Sequence, residues 1–157
     1  QYLENKKMDT LLIYAKMYPK LIIFAKYIAQ IDAIRAKMTK EGFNVSTLTG
    51  RTKNRGKLLT EANNASHMVF LCQASIGSGW ELPDYPVAVF ASMDYSVVSH
   101  IQAEGRILRA NKLKENLFIT LVAGDVDKAV QEAIADKKDF LEHIYAKTRT
   151  KVSGNVR

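Results

Sequence analysis

Short apolar runs alternate with stretches of helical periodicity along this chain, and that alternation restricts the fold more than any other feature. Lys20–Ala25 (Lys-Leu-Ile-Ile-Phe-Ala) has no polar residue at alternate positions, so as a strand it needs cover on both faces. Phe43–Leu48, His67–Cys72, Val87–Ala91 and Leu117–Val122 read as further strands. Between them lie helical patterns. Leu3–Met17 is amphipathic through Leu11, Leu12, Ala15 and Met17 and is ended by Pro19. Tyr27–Glu41 sets Ile28, Ile31, Ile34 and Met38 on one face and stops at Gly42. Lys53–Asn63 and Ser96–Arg109 continue the series, and Asp125 caps a long helix that carries Val126, Ala129, Val130, Ala133, Ile134, Leu141 and Ile144. The expected fold is α/β: three layers, a mostly parallel central sheet and helices on both faces. Ligands of such sheets gather at the carboxyl ends of the strands. Here those ends are Ala25-Lys26, Leu48–Gly50, Cys72–Gly79 and Ala91–Asp94.

Composition narrows the function classes. With 157 residues, 47% of them hydrophobic, the chain can bury one core and is not a disordered tail. The single cysteine, Cys72, excludes a disulfide framework and reads as an inert core thiol. Three scattered histidines leave no zinc spacing, so no metal site is expected. No apolar run is long enough to span a membrane and no signal-peptide pattern opens the chain, so the expected setting is intracellular, cytoplasmic or nucleoid-associated. The net charge of +7 is concentrated in two segments. Four basic residues and no acid lie between Lys147 and Arg157, and four more (Arg51, Lys53, Arg55, Lys57) between Thr49 and Lys57. Together they exceed the whole surplus, which points to a polyanion contact. A solvated loop and a solubilising tail would give the same count. The expected organisation is one domain over residues 1–147 and a flexible basic tail over 148–157. The start at Gln1, directly in a helical pattern, suggests a fragment of something larger.

Two glycine-bearing segments imitate nucleotide loops. Gly50-Arg-Thr-Lys-Asn-Arg-Gly56-Lys57-Leu58 has one residue too many between its glycines for a P-loop, and Leu58 stands where a magnesium-binding hydroxyl is needed. A basic loop at a strand end is the better reading. In the second segment Gly77 and Gly79 lack the third glycine of a dinucleotide fingerprint, since position 82 is Leu82. Pro83 and Pro86 also prevent the helix that would receive a pyrophosphate. Gly79-Trp80-Glu81-Leu82-Pro83 instead resembles motif V of superfamily 2 helicases and translocases, with Glu in place of the commoner Asp or Asn. Gln102-Ala-Glu-Gly105-Arg106-Ile-Leu-Arg109 matches that family's motif VI, Gln-x-x-Gly-Arg-x-x-Arg, at every defined position. Leu21–Lys26 is similar to motif IV, and Thr49-Gly50 followed by Arg55 to the family's strand–Gly–helix–Arg element. Phe118–Val122 with Val126–Val130 is similar to the closing strand and helix of Swi/Snf-type translocases. Walker A, Asp-Glu box and motif III have no counterpart here, so the chain resembles the second RecA-like lobe alone.

The resemblance implies roles. Arg106 and Arg109, three apart and so on one face of a helix, would be arginine fingers; such a finger is worth about 10³ to 10⁵ in rate. Gly79 and Glu81 would border the nucleotide, with Gln102 and Gly105 beside its phosphates. Lys26, Thr49, Gly50, Arg51, Lys53 and Gln73 would line the nucleic-acid face, Gln73 standing where many members have Thr. The cofactor would be ATP with magnesium, held mainly by an amino-terminal RecA-like lobe of the same protein. The full protein would then be a DNA-dependent ATPase or helicase, Swi/Snf-like, with double-stranded DNA favoured as its track. This lobe alone would be inactive, and no membrane would be involved. Ala110-Asn111, where Swi/Snf-type members often continue Gly-Gln, departs from the pattern. Two other classes stay open: a non-catalytic nucleic-acid-binding module with a retained RecA-like fold, and a small-molecule enzyme using the Gly77–Gly79 loop. Trp80 can be a packed loop anchor or a platform for a base.

Overall fold

The computed structural model describes residues 2–76, 80–82, 84–92, 117–122, 128, 129, 132, 135 and 136. The described elements are helix α1 (Tyr2–Met17), strand β1 (Lys20–Ala25), helix α2 (Ile28–Lys40), strand β2 (Val45–Leu48), helix α3 (Arg55–Asn64) and strands β3 (Met68–Gln73), β4 (Val87–Phe90) and β5 (Leu117–Thr120). The strands form one sheet in the order β2-β3-β1-β4-β5, and every adjacent pair is parallel. β1 lies at the centre, pairing through Ala25 with Gln73 on one side and through Phe24 with Phe90 on the other. Its apolar sequence is explained by that place: Leu21 to Ala25 are all buried. The expected α/β fold with a parallel sheet is what forms.

Side chains alternate across the sheet and feed two cores. Leu21, Ile23 and Ala25 join Val69, Leu71, Val87 and Val89 under α1 and α2, which contribute Leu11, Ala15, Ile31, Ile34 and Met38. Ile22 and Phe24 point the other way, to Phe70, Cys72 and Phe90. That face is covered by α3 through Ala62 and by an irregular segment carrying Ile76, Trp80, Leu82 and Tyr85. Cys72 is buried, as its place in an apolar strand suggested.

The ends of the helices follow local chemistry more closely than periodicity. α2 stops with Gly42 at φ +89°, the Gly42 N–H bonding the Thr39 carbonyl and the Phe43 N–H that of Met38. Phe43 is thereby used in the helix stop, and β2 begins at Val45 rather than at Phe43. α3 begins at Arg55 rather than Lys53, because Asn54 is its cap: its side-chain oxygen accepts from the Lys57 N–H at 3.1 Å. On α1 only Leu11 and Ala15 of the expected apolar stripe are buried; Met17 is 60% exposed. The expected helix at Ser96–Arg109 and the tail at 148–157 lie outside the described residues. Of the long helix after Asp125, residues 128, 129, 132, 135 and 136 are described, and all are helical.

Candidate nucleic-acid interface

The carboxyl ends of β2, β3 and β1 lie side by side, and they bring six expected contact residues onto one edge of the sheet. β2 runs into a turn that is hydrogen-bonded within itself. The Thr49 N–H donates to Thr52 Oγ1 (3.0 Å), the Thr52 hydroxyl to the Thr47 carbonyl (3.2 Å), and the Arg51 N–H to Thr49 Oγ1 (3.2 Å). Thr49 is accordingly only 7% exposed, whereas Gly50, Arg51, Lys53, Arg55 and Lys57 are all exposed. Gln73, the last residue of β3, accepts the Gly50 N–H at 3.3 Å on its side-chain oxygen. This bond ties the turn after β2 to the end of β3, and Ala25 of β1 is paired with Gln73. Lys26 follows at once, half-buried, its ammonium 5.2 Å from the centre of the Tyr27 ring.

The electrostatics of this edge run against what stability alone would choose. The amino end of a helix carries partial positive charge and favours acids in its first turn. The first turn of α3 has none; Arg55 and Lys57 stand there, with Lys53 and Arg51 just before. Lys57 lies only 3.9 Å from Glu61, both side chains solvent-exposed, so that pair offsets little. A helix terminus with open N–H groups and a surrounding cluster of cations suits phosphate oxygens.

Next to this strip, at the ends of β1 and β4, the sheet changes direction of connection, the usual place for a ligand crevice. A hydroxyl links the two strand ends there. Ser92 accepts the Lys26 N–H at 2.7 Å and donates to Gln30 Oε1 at 2.6 Å, and the Lys7 ammonium donates to the Ala91 carbonyl at 2.9 Å. Sequence reasoning missed Ser92, Gln30 and Lys7; the only available signal was that Ser92 directly follows an apolar strand.

The segment resembling motif V packs on the aromatic core. Trp80 is 5% exposed, its ring 5.8 Å from that of Phe70 and 6.3 Å from that of Phe24, so it is a packed anchor and not a platform for a base. Glu81 is exposed. Tyr85 is buried, its hydroxyl donating to the Ala62 carbonyl at 2.8 Å, and burial pushes the phenol well above its ordinary range so that it stays a protonated donor. Gly79, Gln102, Gly105, Arg106 and Arg109 lie outside the described residues. Among the described residues no group of three His, Cys, Asp or Glu could hold a metal ion, and no helix is long and apolar enough to cross a membrane. A cavity of about 390 Å³ lies at the opposite, amino-terminal end of the strands, between Tyr18, Pro19, Phe43, His67 and Met68.

Among the described residues, a five-stranded parallel sheet with helices on both faces and a basic strip at its strand ends defines a doubly wound α/β lobe. Residues 4–111 match the family profile described as "Helicase conserved C-terminal domain". The chain belongs to that family. Many solved structures share the fold. The C-terminal part of the Fun30 ATPase domain superposes with a TM-score of 0.75 at 19% identity, over 82% of this chain and 44% of that one. The C-terminal domain of the DEAD-box protein Dbp5 superposes with a TM-score of 0.71 at 19% identity, over 85% of this chain and 78% of that one. This chain therefore spans less than half of the Fun30 structure. No curated protein sequence matches it significantly.

Proposed function

We propose that this chain is the second lobe of an ATP-dependent translocase of Swi/Snf type whose track is double-stranded DNA, and that the edge from Lys26 to Lys57 grips the phosphate backbone. The observation that carries the nucleic-acid reading is the clustering of Arg51, Lys53, Arg55 and Lys57 at the positive end of α3, where a helix built for stability alone would place acids. Thr49 frames the turn, Gly50 gives close backbone access, and Gln73 ties the turn to the end of β3, beside β1. The Swi/Snf reading is supported by the closing strand–helix resemblance and is compatible with the shared fold of the Fun30 ATPase piece.

ATP with magnesium would be the cofactor, held mainly by the first lobe. On this chain Glu81, exposed between the buried Trp80 and Leu82, would accept a hydrogen bond from a nucleotide. Arg106 and Arg109 would supply positive forks to its phosphates, with Gly79, Gln102 and Gly105 shaping the approach. Bound ATP supplies the phosphoryl group whose transfer to water drives stepping. This lobe by itself is expected not to hydrolyse it. The working protein is expected to act inside the cell, with residues 1–147 as the lobe and 148–157 as a basic tail.

Two measurements test the reading. Titration of a labelled DNA duplex at several salt concentrations should give log K falling with log salt at a slope of about −3 to −4, as expected when roughly four cations meet phosphates. Binding that ignores salt, or no binding, would refute the interface. In a protein carrying both lobes, Arg109→Ala should abolish DNA-stimulated ATPase and leave most ATP binding; unchanged turnover would refute the finger assignment.

A further inference from the structure

Between the basic strip and the loop at Glu81 there is one continuous piece of structure, helix α3. Its amino end is the strip itself: Asn54 caps it, and Arg55 and Lys57 occupy its first turn. Its carboxyl end is fastened to the loop from the other side of the core. The Tyr85 hydroxyl donates to the Ala62 carbonyl at 2.8 Å, in a fully buried position. The Asn63 side-chain amide donates to the Leu59 carbonyl at 3.0 Å and reaches the Glu81 carbonyl at 3.5 Å. Lys20, at the start of the central strand, donates to the Asn63 carbonyl at 3.1 Å and lies 5.0 Å from the centre of the Tyr85 ring.

These bonds have a physical reason. The last carbonyls of a helix have no partner within it and need donors from elsewhere. Here the donors come from the segment that covers the aromatic core and from β1, so satisfying the helix end also fixes the loop. Trp80 and Leu82, on either side of Glu81, are buried against the same core. A ten-residue helix held at its far end by one buried hydrogen bond and by partly exposed ones shifts as a rigid body more readily than it bends.

We infer that α3 is a transmitting rod, and that Tyr85, with Asn63, is the positioning residue that couples contact at Arg51–Lys57 to the placement of the Glu81 loop. The inference rests on the nucleic-acid reading of the strip. A phosphate backbone drawn onto the amino end of α3 displaces the helix along or about its axis; the displacement reaches Ala62 and Asn63, and through them Tyr85 and Glu81. The loop proposed to face nucleotide thus senses occupancy of an edge that it does not touch.

The chain carries its own reporter, because Trp80 is its single tryptophan and sits inside the coupled segment. Duplex DNA would be titrated onto the wild-type chain and onto Tyr85→Phe, with affinity followed by anisotropy of the labelled duplex and the loop by Trp80 emission. Tyr85→Phe keeps the ring and removes only the donor. The expected result is a change of Trp80 emission on saturation in the wild type, and loss of at least half of that change in Tyr85→Phe with affinity altered by less than about two-fold. A merely structural hydroxyl would leave the emission response intact in a folded variant. Asn63→Ala, which keeps a good helix former on a half-buried site, should reduce the response in the same direction, and it decides the matter if Tyr85→Phe proves unfolded by circular dichroism. A wild-type chain that binds DNA without any change at Trp80, or a full response in the folded variants, would overturn the coupling alone. No salt-dependent binding in any chain would overturn the interface reading and the coupling with it.

Discussion

The two faces of the sheet are built on different plans. Under α1 and α2 the core is aliphatic, with Leu21, Ile23, Leu71, Val87 and Val89 meeting Leu11, Ile31, Ile34 and Met38. Across the sheet it is aromatic: Phe24, Phe70 and Phe90 meet Trp80 and Tyr85, with the Phe24 and Phe90 rings stacked at 5.1 Å. The cover differs in the same way. Two regular helices pack there through an apolar stripe and add single side-chain ties, Lys7 to the Ala91 carbonyl and Gln30 to Ser92. The irregular segment at 80–85 has no ladder of its own, and it is held by side-chain donors and large flat rings. Aromatic rings suit that task because one residue covers a broad area with few rotamers to freeze. The aromatic face is the one whose cover includes α3 and Glu81's loop.

This contrast can be broken in order of expected effect. Phe70→Ala should cost about 3–5 kcal/mol in denaturant unfolding and should red-shift Trp80 emission in the native state, since Trp80 loses its ring neighbour. Ile34→Ala on the other face should cost about 2–5 kcal/mol and leave Trp80 emission unchanged. A shift of Trp80 in the second variant would mean that the two faces are not independent. The helix ends offer a finer comparison. Gly42→Ala forces a side chain to φ +89° and should cost about 1–2 kcal/mol, although nothing lies within 4 Å of the added carbon. Asn54→Ala should cost about 0.5–2 kcal/mol by uncapping α3, and should also weaken duplex binding, which Gly42→Ala should leave alone. Equal effects of the two on binding would remove the strip from α3.

How much of this was legible depended on how local each cause is. β1 and β3 were readable because central parallel strands must be apolar on both sides, and Leu21–Ala25 and Met68–Cys72 have no other way to be buried. Gly42 as a helix stop was readable for an equally local reason. The starts of β2 and α3 were not, because apolar periodicity is silent about caps: Phe43 looks like a strand residue and serves a helix end, and Asn54 outranks Lys53 only by its side-chain oxygen. The strip was visible as charge, and the sheet order then explained why Gly50 and Gln73 meet beside the end of β1. What stayed hidden were bonds between distant parts of the chain. Tyr85 and Ala62 are 23 residues apart, and Ser92 and Gln30 are 62 apart. No period or spacing announces such a pair.

The Ser92 relay has a consequence for how sequences of this family can drift. One oxygen accepts a hydrogen bond from the Lys26 amide, and its O–H donates to Gln30. Only a hydroxyl does both at a single atom, so alanine at 92 orphans an amide and a carboxamide together. Glutamine at position 30 loses its donor when position 92 loses its hydroxyl. In divergent relatives the two sites should therefore change hands in pairs, a covariation across 62 residues that marks the seam between the first and fourth strands.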